Sequence, residues 1–142
     1  MKILQITSFE DKNLKISGYT YRNYDGYHIA TDDKDIYLLI ESGQSCCERY
    51  GYACTEDNLQ DFIGATIRDF EVVDSDRAVT NNKLMGTEIY KMDNIYEGDI
   101  MFLNVNTERG TLQFSVYNEH NGYYGHNALV VVNNEVIANQ NL

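Results

Sequence analysis

The sequence predicts an α+β fold, mainly an antiparallel β-sheet or half-barrel with one short helix at about 55–63, and three observations carry this expectation. Short runs rich in β-branched and aromatic residues recur along the chain, the composition of half-buried strands. Polar or glycine-closed turns separate several of them. One stretch alone carries the start and stop signals of a helix.

The strand-like runs, in order, are Lys2 to Ile6, Leu14 to Tyr21, Tyr27 to Ala30, Ile36 to Ile40, Thr66 to Val73, Glu88 to Met92, Ile100 to Asn106, Thr111 to Asn118 and Asn127 to Val132. Thr31-Asp32-Asp33-Lys34-Asp35 reads as the turn of one hairpin. Thr107-Glu108-Arg109-Gly110 reads as the turn of another, closed by a glycine able to take positive φ. Beyond it Leu112, Phe114 and Val116 alternate with Gln113, Ser115 and Tyr117, the period of a strand with one face on the core. Asn133-Asn134 turns the chain into a final strand, Glu135 to Ile137. In the helix, Thr55 is the expected N-cap and Glu56 and Asp57 oppose the dipole. Leu59, Phe62 and Ile63 share a face, and Gly64 stands where a left-handed C-cap belongs. Residues 74 to 87 read as a loop or flap.

The chain has 142 residues and no linker or internal repeat, which fits one domain, 1–142, large enough to bury its own core. Twenty-two acidic against eleven basic residues give a net charge of −11. A field of that sign repels nucleic acid and anionic membranes, so direct binding to either is not expected. The longest apolar run, Ala128 to Val132, is far below the roughly 18 residues of a membrane-spanning helix. The N-terminal apolar stretch is too broken for a signal peptide. Three cysteines, two of them adjacent, suit a reduced cytoplasm.

Two segments depart from strand composition: Ser45-Cys46-Cys47-Glu48-Arg49-Tyr50-Gly51-Tyr52 and Tyr117-Asn118-Glu119-His120-Asn121-Gly122-Tyr123-Tyr124-Gly125-His126. Each gathers Cys or His, charge and aromatic rings around glycines, the usual substance of a site on loops. Three chemistries are open to them. Cys46, Cys47 and Cys54 with His120 and His126 supply ligands for a zinc ion, although adjacent cysteines chelate poorly and each is equally a small buried hydrophobe. Cys46 or Cys47 beside Arg49 and a histidine could be a thiolate nucleophile, with Glu48 acting against it. Tyr50, Tyr52, Tyr123 and Tyr124 offer faces on which a base can stack. Arg49, Asn121 and the histidines offer donors to phosphate or ring edges. The blander account makes the tyrosines sheet packing, pairs Arg49 with Glu48 or Glu119, and leaves the glycines as turn residues.

The strings Cys-Cys-Glu-Arg-Tyr-Gly at 46–51 and His-Asn-Gly-Tyr-Tyr-Gly-His at 120–126, with Asp61-Phe62-Ile63-Gly64-Ala65 and Gly110-Thr111-Leu112-Gln113-Phe114, resemble a family of small domain-of-unknown-function proteins found in bacteria and their phages. The resemblance implies phage or prophage company and brings no activity, catalytic residue or cofactor. The preferred expectation is a non-enzymatic, homo-oligomeric binding protein of the host cytoplasm that sequesters a nucleotide-derived immune signal. Its ligand contacts would come from Cys46, Cys47, Glu48, Arg49, Tyr50, His120, Asn121, Tyr123, Tyr124 and His126. The alternative is an acidic inhibitor of a basic host defence nuclease, and a cysteine- or zinc-dependent hydrolase stands third.

Overall fold

A computed structural model of the chain describes residues 1–43, 49–54, 56, 58–73, 99–119 and 125–142, with the backbone alone considered for Arg49, Asp99 and Glu119. It corrects the expected fold class: the chain is an all-β sandwich of two antiparallel sheets, with no α-helix among the described residues. The strands are β1 (Ile3–Ile16), β2 (Tyr19–Thr31), β3 (Asp35–Glu41), β4 (Arg49–Cys54), β5 (Ile67–Val73), β6 (Asp99–Thr107), β7 (Gly110–Glu119), β8 (Asn127–Val132) and β9 (Glu135–Asn141). One sheet has the order β1-β2-β3-β8-β9 and the other β4-β7-β6-β5.

The expected helix is a single 3₁₀ turn, Leu59–Phe62. Its cap is Asn58, whose side-chain oxygen accepts the Gln60 N–H at 3.2 Å, while Thr55 and Asp57 lie outside the described residues. The physical reason is length: four residues close too few i to i−4 bonds to offset helix nucleation, and the tighter turn buries Phe62 just as well. The strand expected at Glu88 to Met92 and the flap at 74 to 87 also lie outside the described residues.

The inner faces of the sheets form the main core. Ile29, Ile36, Leu38, Ile40, Ala128 and Val130 of the first meet Met101, Leu103, Val105, Leu112, Phe114 and Val116 of the second. Alternation of Leu112, Phe114 and Val116 with Gln113, Ser115 and Tyr117 turns the apolar set inward as the period-two pattern demands. The turns at Thr31–Asp35 and Thr107–Gly110 form as expected. Thr31 Oγ1 accepts the Lys34 N–H at 2.8 Å in the first, and Thr107 Oγ1 donates to the Gly110 carbonyl at 2.7 Å in the second. Asn133 and Asn134 take φ of 49° and 64°, the left-handed pair of a two-residue hairpin.

The β1–β2 hairpin is longer than its sequence pattern suggests, because the turn falls at Ser17-Gly18, inside the run read as one strand. Its pairing is irregular between Phe9 and Leu14, with Asp11 and Asn23 at positive φ, so the distal half bends away from the sheet. This arm lies on the outer face of β3 and β8. Ile16 and Tyr24 pack there with Leu39, Leu129 and Val131. At its tip the Ser17 N–H donates to the Asn134 side chain at 3.0 Å. Burial of this kind stabilises by about 1.5–3 kcal/mol per large side chain, enough to hold a folded-back hairpin. Gly26 is the pivot: at φ 149° a Cβ would fall 1.9 Å from the Leu38 carbonyl oxygen.

Candidate functional site

The described flanks of the two distinctive segments lie at one end of the sandwich. β3 ends at Glu41 and β4 begins at Arg49, while β7 ends at Glu119 and β8 begins at Asn127. β4 and β7 are hydrogen-bonded neighbours, with the backbones of Arg49 and Glu119, and of Tyr50 and Asn118, in register. The flanks of segments 44–48 and 120–124 are therefore adjacent. Cys46, Cys47, Glu48, His120, Asn121, Tyr123 and Tyr124 themselves lie outside the described residues, as does the side chain of Arg49.

Tyr50 and His126, the two proposed contacts whose side chains are described, meet each other. Their rings stack with centroids 4.4 Å apart and planes 27° apart. The Tyr50 hydroxyl donates to the Ser42 carbonyl at 3.1 Å. His126 is 3% exposed, and its Nδ1 bonds the Glu41 carbonyl. The backbones of His126 and Leu142 exchange two bonds, 3.0 and 2.9 Å, and Asn118 Nδ2 donates to the Leu142 carbonyl at 3.0 Å. The pair thus clamps the ends of β3, β4, β8 and β9 together. Within β4, the Tyr117 phenol lies over Gly51, where a Cβ would come 2.7 Å from its oxygen. That glycine, read as part of a ligand loop, is a packing position of a strand.

Cys54 stands at the opposite end of β4, about 13 Å along the strand from Tyr50 at the usual rise per residue. One metal ion cannot be shared by Cys54 and His126 at that spacing. Among the described residues no group of three or more His, Cys, Asp or Glu side chains is placed to hold a metal.

Beside the clamp the arm adds a group that the sequence reading did not single out. The Asp25 carboxylate is 8% exposed and accepts the Asp11 N–H at 2.9 Å. Ser42 Oγ donates to the Asp11 carboxylate at 2.8 Å, and the Tyr52 hydroxyl donates to Glu10 at 3.0 Å. Burial pushes the Asp25 carboxyl above its ordinary value, helped by the charges of Asp11 and Glu10 and opposed by the bonds from the Asp11 N–H and Ser42. Tyr24 is pushed up to about 12 by burial first and then by Glu41. Burial also raises Tyr27, and it raises Tyr52 with help from Glu10. These phenols stay protonated at neutral pH and serve as donors or ring surfaces. The signal for the group was the Asn23-Tyr24-Asp25-Gly26 string, a turn-like sequence inside a strand.

The fold defines a class: a two-sheet antiparallel β-sandwich in which β4 and β7 are hydrogen-bonded neighbours. Residues 2–130 match the family described as Domain of unknown function (DUF7448), and the chain belongs to it. No curated protein and no solved structure matches the chain. Among the described residues no helix is long and apolar enough to cross a membrane.

Proposed function

We propose that the chain is a non-enzymatic binding protein that captures a compact nucleotide-derived anion at the clamped end of the sandwich. In a phage or prophage setting it would act as an anti-defence factor in the host cytoplasm, withholding an immune signal. One observation carries the reading: β4–β7 pairing and the Tyr50–His126 stack fix the roots of both distinctive segments next to each other. Segment 120–126, rich in Tyr, Asn and Gly, supplies stacking faces and backbone donors, and the rigid strands beside it lower the cost of ordering them. In this reading Arg49 neutralises phosphate, Tyr123 and Tyr124 stack on the base, and Tyr50 and His126 hold the loops in place.

The acidic-inhibitor alternative draws on the net charge of −11. At the far end of the sandwich the exposed carboxylates Asp32, Asp33, Asp35, Asp61 and Glu108 are interleaved with Lys2, Lys34 and Arg109. That mixture favours the ligand reading. Native mass spectrometry of the purified chain against a panel of cyclic and linear nucleotides tests it: a retained nucleotide mass that Arg49→Ala and Tyr124→Ala abolish is the expected result. No retained mass with any nucleotide, together with salt-sensitive capture of a basic nuclease, would establish the alternative instead.

A further inference from the structure

The β1–β2 arm is joined to its sheet by a weakly laddered root. Pairing of β1 with β2 breaks twice there, between Phe9 and Lys12 and again between Lys12 and Leu14. Asp11 and Asn23 take φ of 51° and 60° at the breaks. Local bonds stand in for the regular ladder: the Asn23 N–H donates to Asn13 Oδ1 at 3.0 Å, and the Ser42 N–H donates to the Asn23 carbonyl at 2.7 Å. A root crossed by few ladder bonds opens locally at lower cost than the strands beyond it.

A buried acid sits at this root. Asp25 pairs with Ile40 of β3, one residue before the Gly26 pivot, and the charges facing it share its sign. From β1 these are Glu10 and Asp11, and from β4 comes the Tyr52 phenol, itself bonded to Glu10. β3 contributes the neutral donor Ser42, and Glu41, whose charge acts on the adjacent Tyr24. Lys12 of β1 holds its Nζ 5.0 Å from the centre of the Phe9 ring, and among the described residues no Lys or Arg is ion-paired with Glu10, Asp11 or Asp25. An ionised carboxylate in that place loses hydration and gains repulsion, which the donors from Asp11 and Ser42 offset only in part.

We propose that Asp25 makes the arm a pH-sensitive strap. With its carboxyl neutral the hairpin lies closed on β3 and β8, and its ionisation against Asp11 and Glu10 loosens the root, so that the arm lifts and bares Leu39, Leu129 and Val131. Lifting carries Glu10 and Asp11 away from Asp25 and admits water, so the open form releases the proton more readily than the closed one. Closure is therefore complete below the ordinary carboxylate range and weakens as pH rises through the raised value of the closed form. A two-stranded hairpin off its sheet is marginal by itself, and the lifted arm becomes cleavable chain.

Proteolysis reads the opening, because cleavage of a transiently opened segment follows its population. The rate at which proteinase K cuts the chain between Lys12 and Arg22 is divided by its rate on a synthetic peptide of residues 10–26 at the same pH, which removes the pH dependence of the protease. This ratio should rise at least about threefold from about pH 4 to about pH 7, while sites in β7 stay protected. Asp25→Asn should hold it at the low-pH value throughout. Asp11→Asn keeps the N–H that Asp25 accepts, an oxygen for Ser42 and a residue type that tolerates positive φ, and should show a smaller rise than wild type. A wild-type ratio independent of pH, an undiminished rise in Asp25→Asn or in Asp11→Asn, or equal release of sites in β7 would overturn the proposal.

Discussion

The imidazole of His126 lies on the ring of Tyr50, 4.4 Å between centroids, and its Nδ1 bonds the carbonyl of Glu41 on a third strand. Three chain segments far apart in sequence are held by one buried side chain. His126→Ala removes both the stack and the bond and leaves a buried carbonyl without that donor, so it should cost about 2–4 kcal/mol. Tyr50→Phe keeps the stack and loses the bond to Ser42, costing about 0.5–1.5 kcal/mol. Urea unfolding midpoints check both, and equal losses in the two variants would mean the stack contributes nothing.

Gly26 and Gly18 both stand at positive φ, 149° and 80°, but only Gly26 has backbone in the way of a side chain. Gly18→Ala should cost about 1–2 kcal/mol, the left-handed penalty alone. Gly26→Ala drives a Cβ into the Leu38 carbonyl and should cost more than about 3 kcal/mol or prevent folding. Thermal melts of the two variants side by side are sufficient, and a Gly26→Ala protein as stable as Gly18→Ala would remove the pivot from the account.

The arm is a separable unit. Ile16→Asp places a carboxylate among Tyr24, Leu39, Leu129 and Val131, and the hairpin should lift from the sheet while the inter-sheet core stays closed. Limited proteolysis should then cut between Lys12 and Arg22 at a rate well above wild type, with the far-UV spectrum still that of a β-protein. Protection equal to wild type would show that the outer-face cluster does not hold the arm.

Asp25 gives a pH signature of definite sign. Its folded-state pKa lies above the unfolded one, so the folded chain binds the extra proton between the two values. The contribution of this group is complete below the unfolded pKa and is lost as pH rises through the folded one. Asp25→Asn should therefore gain on wild type as pH increases from about 4 to 7. Asp32 and Glu108 act in the opposite sense, since backbone N–H groups of Lys2 and Thr66 hold their carboxyls below the ordinary value. Their stabilisation is present at neutral pH and fades on acidification. A variant-to-wild-type difference independent of pH would acquit Asp25.

β7 was legible because its apolar residues Leu112, Phe114 and Val116 fall on one face, although Gln113 and Ser115 on the other face are buried as well. β8 departs from that pattern. Its Ala128 to Val131 run is buried on both faces, because the arm covers the side that a simple sandwich leaves to water. The arm itself was hidden by Ser17-Gly18, a turn dipeptide set inside an apolar run whose left-handed φ values only the fold displays. β4 was read as part of a loop because Tyr50, Gly51 and Tyr52 resemble ligand-loop composition, whereas Tyr117 packs over Gly51 from the neighbouring strand. The helix signals at 55–63 were local preferences too short to survive against the packing of Phe62. Of the candidate site, the pairing of the flanking strands β4 and β7 and the clamp between Tyr50 and His126 were not legible, since both depend on register across strands.

The bond between Ser17 and Asn134 joins residues 117 positions apart. During synthesis the arm leaves the ribosome well before β8, which supplies part of the surface it covers. Throughout that interval Ile16 and Tyr24 have Leu39 of β3 but not Leu129 and Val131 to pack against. Full arm closure thus waits for β8, and a nascent chain stalled before β8 would display a sticky hairpin to whatever holdase is at hand.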